Sequence, residues 1–209
     1  RLICASFSKN SDVFNYLLEK IKSTSPDAFN NFEWKTDILG LACSAGNVHA
    51  SKTITDLILE KKGSEIYFTD PFISAILKGS IEICQFFIDK KVDINFNQIV
   101  SRCSDFGFIK PEIFSLIINN STSEVKKQLY SNLIIPAVLS HNAPIVEEIL
   151  KETTENTRTL LEAVNVNDPK IVKIILKYNK KPLFVNKKTQ NGTALIIATQ
   201  KGSLEIVND

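Results

Sequence analysis

The sequence predicts an all-α fold, a solenoid of about six to seven stacked helix pairs, and three recurrences in its 209 residues predict it. The first is an apolar quartet at positions x, x+1, x+4 and x+5. It appears as Val13/Phe14/Leu17/Leu18, Ile83/Cys84/Phe87/Ile88, Ile113/Phe114/Ile117/Ile118, Ile145/Val146/Ile149/Leu150 and Ile171/Val172/Ile175/Leu176. Thr53/Ile54/Leu57/Ile58 reads as a degenerate copy, and Ile206/Val207 begins another. Such spacing puts four apolar side chains on one face of a helix. The second recurrence is an alanine nine residues before the second quartet member, in Ala5/Phe14, Ala75/Cys84, Ala137/Val146, Ala163/Val172 and Ala198/Val207. An offset this short requires two helices joined by a tight turn. The third is a glycine four residues after the small residue, at Gly46, Gly79, Gly107 and Gly202. Glycine there ends a helix in the left-handed conformation without strain.

Taken in chain order, the repeats cover 1–22, 36–62, 69–95, 99–120, 129–152, 157–181 and 191–209, in a single domain that reads as a piece of a longer chain. The chain opens in mid-pattern at Arg1-Leu2-Ile3, contains no methionine and closes on Ile206-Val207-Asn208-Asp209. Residues 23–35 form an insertion with room for a short helix. With the second quartet member as a ruler, the repeats fall at 14, 54, 84, 114, 146, 172 and 207, with spacings of 40, 30, 30, 32, 26 and 35. Asn167 takes the place of the turn glycine in the sixth repeat, while Lys9 and His141 must tolerate the left-handed turn or adjust it. Pro111, Pro144 and Pro169 stand just before quartets, where the first helical turn accepts proline. Thr193 is placed to cap a helix.

Thr193-Ala194-Leu195-Ile196-Ile197-Ala198, then Gly202 and Ile206-Val207, resembles the repeat pattern of the ankyrin family. Asp70-Pro71-Phe72, Ala75, Gly79 and Ile83-Cys84 repeat it, followed by Val92-Asp93-Ile94-Asn95 where that family usually has Ala-Asp-Val-Asn. The histidine of the family's tetrapeptide is replaced by Ile73, Ile135, Leu161 and Ile196, so the hydrogen bonds that it commonly makes between repeats are expected to be missing. The shortest repeats leave little room for the family's projecting β-turn. Tetratricopeptide arrays, with a strict period of about 34 residues, and longer HEAT-like repeats fit less well.

Composition excludes several classes. Hydrophobic residues make up 44% and charged residues 23%, an ordinary soluble balance, and the net charge is only +2. No apolar run approaches the roughly 18 to 20 residues of a membrane span. No phosphate-cradling glycine loop, histidine pair or metal-spaced cysteine pair is present, so no catalytic site, cofactor or metal is assigned and the chain is read as a non-enzyme. Cys4, Cys43, Cys84 and Cys103 lie on or beside framework positions and are expected to be buried, unpaired thiols of a reducing, cytoplasmic protein. His49, in an insertion, and His141, in a turn, are expected at the surface. Asn120-Ser121-Thr122 and Asn191-Gly192-Thr193 match the glycosylation pattern but are read as turns. From Asp168 to Asp209, eight lysines face three acidic residues, which suits either an acidic partner or a solvated helix face. With no arginine and only Tyr178 and Phe184 to stack on bases, the segment is a poor nucleic-acid binder.

The resemblance implies a protein-interaction scaffold that binds a partner protein through a concave face. Contacts in that family commonly come from the segment entering the first helix and from its exposed end. Carried over, these places hold Trp34, Ser44, Tyr67, Lys78, Asn165, Gln200 and Lys201. Two further readings stand beside it. One is a regulatory or targeting arm of an enzyme whose catalytic domain lies elsewhere. The other is self-association through apolar repeat ends.

Overall fold

The computed structural model describes residues 2–8, 10–30, 33–60, 68–153, 157–178, 185–190 and 192–208. Its α-helices are α1 (Leu2–Phe7), α2 (Ser11–Thr24), α3 (Pro26–Asn30), α4 (Glu33–Ala45), α5 (Val48–Leu59), α6 (Thr69–Lys78), α7 (Ile81–Asp89) and α8 (Phe96–Ser101). A 3₁₀ turn at Cys103–Phe106 follows, then α9 (Pro111–Asn119), α10 (Ser123–Leu139), α11 (Ala143–Glu152), α12 (Thr157–Asn165), α13 (Pro169–Tyr178), α14 (Ala194–Gln200) and α15 (Leu204–Asn208). Among the described residues the only β-pairing is an isolated antiparallel bridge, Thr189 to Gly192. The insertion contains the expected short helix, α3.

Two compact units form, Arg1–Ile99 with Ser115–Asn120 and Val100–Phe114 with Ser121–Asp209. In the first unit the leading helices of successive pairs, α1, α4 and α6, pack side by side, and the trailing helices α2, α5 and α7 do the same. The second unit repeats the arrangement: the 3₁₀ turn, α10, α12 and α14 make one row, and α11, α13 and α15 the other. A lone pair cannot cover its quartet face, so each needs its neighbours.

The quartets fill the cores. Ile83, Cys84, Phe87, Ile113, Phe114, Ile117, Ile118, Ile145, Val146, Ile149, Leu150, Ile171, Val172 and Ile175 are all buried, while Ile88, Leu176 and Leu17 are half-buried. Val13 is the exception, at 46% exposed, because α2 packs on α1, α3 and α5 and no other described element covers its far side. Leu204 and Leu195 of the last pair are likewise uncovered.

One register differs from expectation. Thr53 and Leu57 are only half-buried, and the residues facing the core of α5 are Ala50, Ser51, Ile54 and Thr55, with Ile58 of the expected quartet one turn further on. The true quartet therefore starts three residues earlier, with Ser51 as its ruler and spacings of 37 and 33 on either side. Ala42, fully buried nine residues before Ser51, and Gly46, four after Ala42, then obey both offsets. Two hydroxyl side chains in apolar places hid this copy. The Cys43 thiol donates to Ser51 Oγ at 3.5 Å, whereas Thr55 Oγ1 has no partner.

Gly46, Gly79 and Gly202 have φ near +70°, and Asn167 and His141 are left-handed as well, at 55°. Gly107 does not follow: its φ is −53°, an ordinary right-handed value. Glycine is required there for space, because a Cβ would lie 2.2 Å from Ser140 Oγ and 2.6 Å from the Pro136 carbonyl oxygen. Lys9 lies outside the described residues.

The missing histidines are replaced by a device that the pattern did not reveal. Asn47 follows the turn glycine, and its amide donates to the Ser6 and Ser8 carbonyls of the preceding repeat at 3.1 and 2.5 Å. Asn142, at the equivalent place after His141, donates to the Gly107 and Ile109 carbonyls at 3.1 and 2.9 Å. Asp168 occupies the same place again, and its carboxylate meets His141 Nδ1 at 2.8 Å. Each bond satisfies turn groups that packing would otherwise strand, and pins one repeat to the next. Thr122 and Thr193, both within sequon-like triplets, cap α10 and α14.

Cys43 and Cys84 are buried free thiols, but Cys4 is exposed, contrary to expectation. In α1 the buried stripe is Leu2, Ala5 and Ser6, and Cys4 falls off it. The Cys103 side chain lies outside the described residues. His49 is exposed as expected but sits on α5, not in an insertion, with Nε2 2.8 Å from Asn15 Oδ1. Burial pushes both inner thiols up to about 12, opposed at Cys43 by the Ser51 hydrogen bond and reinforced at Cys84 by Cys43. The folded state thus binds these protons more tightly than the unfolded chain. The resulting support is complete below pH 9.0, the ordinary value, and is lost as the pH rises toward about 12. Thermal melts at pH 8 and about pH 10.5 should show a loss that Cys43→Ala with Cys84→Ala reduces. Native alkylation should be much faster at Cys4 than at either buried thiol.

Candidate protein-interaction surface

The ends of the leading helices build the candidate surface. Counting two residues beyond each small alanine gives Phe7, Ser44 and Leu77 in the first unit, and Leu139, Asn165 and Gln200 in the second. Every one is exposed. The helix has just left the core at this offset, so its side chains turn away from both rows. Phe7, Leu77 and Leu139 are each 52% exposed.

Lys78, one position further, is also exposed, and its stem crosses the preceding turn. A Cβ on Gly46 would stand 3.1 Å from Lys78 Cγ, so glycine at 46 serves both the left-handed turn and the seat of this lysine. Ser44, which returns its hydroxyl to the Leu41 carbonyl at 2.9 Å, lies two residues from that seat. In the second unit Gln200 and Lys201 stand exposed where α14 ends.

Trp34 is placed differently. It is half-buried, its ring centroid 6.0 Å from that of Phe29. Lys35, almost fully buried, lays its ammonium 4.9 Å from the Phe29 centroid and 5.6 Å from that of Trp34. This cluster ties the inserted helix α3 to the start of α4. Tyr67 lies outside the described residues.

Sequence reasoning missed Phe7, Leu77 and Leu139. The same offset that located Asn165 and Gln200 would have found them had it been applied without regard to residue type.

Asn165 lines a cavity of about 440 Å³ in the second unit, between α12 and the segment entering α14. Leu161 and Ile197 contribute apolar lining, and Arg158, Glu162, Lys187 and Gln190 contribute charged and polar lining. Thr189 and Gly192 exchange backbone hydrogen bonds at 3.0 and 3.1 Å, and the Thr189 hydroxyl adds one to the Gly192 carbonyl at 2.8 Å. The wall that carries Lys187 and Gln190 is therefore anchored at its turn.

Part of the basic excess of the last repeats is neutralised by neighbouring glutamates. On the trailing helices Lys173 pairs with Glu205 and Lys177 with Glu147, both at 2.9 Å. The Lys177 ammonium and the Tyr178 hydroxyl together hold the Glu147 carboxyl below the usual carboxylate range. Lys187, Lys188 and Lys201 are exposed, with no ion pair among the described residues.

No protein-family model matches the sequence, and no curated protein does. Among solved structures, the human ASB11 ankyrin repeat domain is similar in fold, with a TM-score of 0.63 and 15% identity over 99% of this chain and 95% of that one. The fold is thus an ankyrin-like helical repeat fold. Among the described residues no helix is long and apolar enough to cross a membrane.

Proposed function

We propose that this chain is a non-catalytic scaffold that holds a partner protein against the exposed ends of its leading helices. The observation that carries this reading is the row of exposed, unlike residues at one fixed offset. Phe7, Ser44 and Leu77 with Lys78 form it in one unit, and Leu139, Asn165 and Gln200 with Lys201 in the other. Apolar anchors beside polar groups are what a protein interface uses. Nothing observed favours an arm of a larger enzyme.

Partner capture by the purified chain provides the test. Leu77→Glu with Lys78→Glu in the first unit, or Leu139→Glu with Lys201→Glu in the second, should each weaken capture at least about tenfold. Their melting temperatures should barely move, because these side chains leave no core void and surface changes usually shift stability by no more than about 0.5 kcal/mol. Lys52→Ala on the trailing helix α5 should leave capture intact. If only trailing-helix or 23–35 variants lose the partner, the surface is assigned to the wrong face.

A further inference from the structure

We infer that the groove between α12 and the segment 187–190 takes an extended acidic peptide, one carboxylate beside one apolar side chain. This deepens the proposed scaffold function and rests on it. The argument begins with charge. Arg158, in the first turn of α12, and Lys187, on the facing wall, border the same cavity, and neither forms an ion pair among the described residues. On the trailing helix α13 Lys173 and Lys177 are instead paired with neighbouring glutamates. Two cations across a cleft are complementary to one carboxylate, and arginine offers it a planar pair of donors.

The remaining lining sets what accompanies that carboxylate. Leu161 and Ile197 are aliphatic and line the same cavity, a seat for one branched side chain of the ligand. Asn165 and Gln190 each offer a donor and an acceptor, which matches the peptide groups of an extended chain. Glu162 lies one turn from Arg158 on the same helix and also has no ion pair among the described residues. It repels a second acid on the ligand, so a polyacidic tract is a poorer fit than a single acid flanked by an apolar residue. A volume of about 440 Å³ accommodates two or three residues, not a folded surface.

The probe is a random heptapeptide display library selected against the purified chain. Enriched peptides should share an aspartate or glutamate next to leucine, isoleucine or phenylalanine. A synthetic peptide of that pattern should bind with an affinity that falls as salt is raised, because the groove is open to solvent. Arg158→Glu with Lys187→Glu should weaken that peptide at least about tenfold and redirect selection toward lysine- and arginine-bearing peptides. Arg158→Gln with Lys187→Gln is the second variant, expected to lose the acidic peptides without redirection, should the double reversal fail to fold. Enriched peptides that lack an acid, ignore both double variants and are lost on Leu139→Glu would overturn the acidic groove and leave the scaffold reading standing. Peptides lost only on trailing-helix substitutions, or no enrichment at all, would overturn both.

Discussion

Ile149→Asp is expected to abolish cooperative melting of the second unit. Ile149 is 1% exposed in α11, and the adjoining quartet residues Ile145, Val146, Ile171 and Ile175 are buried equally completely. α11 packs directly on α10 and α13, so no route to solvent opens without separating helix rows. An ionised carboxylate there has no partner and costs several kcal/mol, or else is protonated at a similar cost. Against a typical total of about 5 to 15 kcal/mol, that is enough to unfold the unit. Ile149→Val, which deletes one methylene, should cost only about 1 kcal/mol and keep a single sharp transition. Circular dichroism melts of the two variants check the contrast, and an Ile149→Asp protein that melts like the wild type would show that the core has been placed wrongly.

The second large effect is expected at Gly107. Alanine there suits the backbone, whose φ of −53° is open to any residue, so the whole penalty is steric. The added methyl would meet Ser140 Oγ and the Pro136 carbonyl, and the latter is main chain of α10 and cannot swing aside. The turn must shift, which also loosens the Asn142 bonds to the Gly107 and Ile109 carbonyls. Overpacking of this kind costs about 1 to 3 kcal/mol. Adding Ser140→Ala should recover part of the loss but not all, because the Pro136 contact remains. Gly202→Ala has the opposite logic: its Cβ meets nothing within 4 Å, but φ is +68°. Its cost, about 1 kcal/mol, should be largely relieved by Gly202→Asn, which accepts the left-handed region, whereas Gly107→Asn should be worse than Gly107→Ala.

Much of the repeat architecture was legible because it is written at fixed offsets. A quartet on one helical face, a small residue where two helix rows meet and a left-handed residue at the turn are local requirements, each set by the geometry of one helix pair. Where a local rule had two possible causes, the sequence misled. Gly46 and Gly107 look alike in the pattern, yet one answers to its φ and the other to the approach of α10. Ala50, Ser51, Ile54 and Thr55 form a core face that composition disguised, although Ala42 and Gly46 already marked its register.

The candidate surface shows the same division. Carry-over from the ankyrin pattern named Ser44, Lys78, Asn165, Gln200 and Lys201, and all five side chains are exposed. The same offset reaches Phe7, Leu77 and Leu139, but residue type could not mark them as candidates, because apolar character alone does not reveal whether a covering helix exists. Nor could it place Trp34 against Phe29 and Lys35, or aim the amides of Asn47 and Asn142 at carbonyls of the preceding repeat. By itself the sequence determined the helix pairs, their turns and their buried faces, which follow from interactions within about ten residues. Only the tertiary structure decided which cations are neutralised and which face the groove beside α12. An ion pair such as Lys177 with Glu147 joins residues 30 apart in the chain, and packing of whole helices brings them within reach.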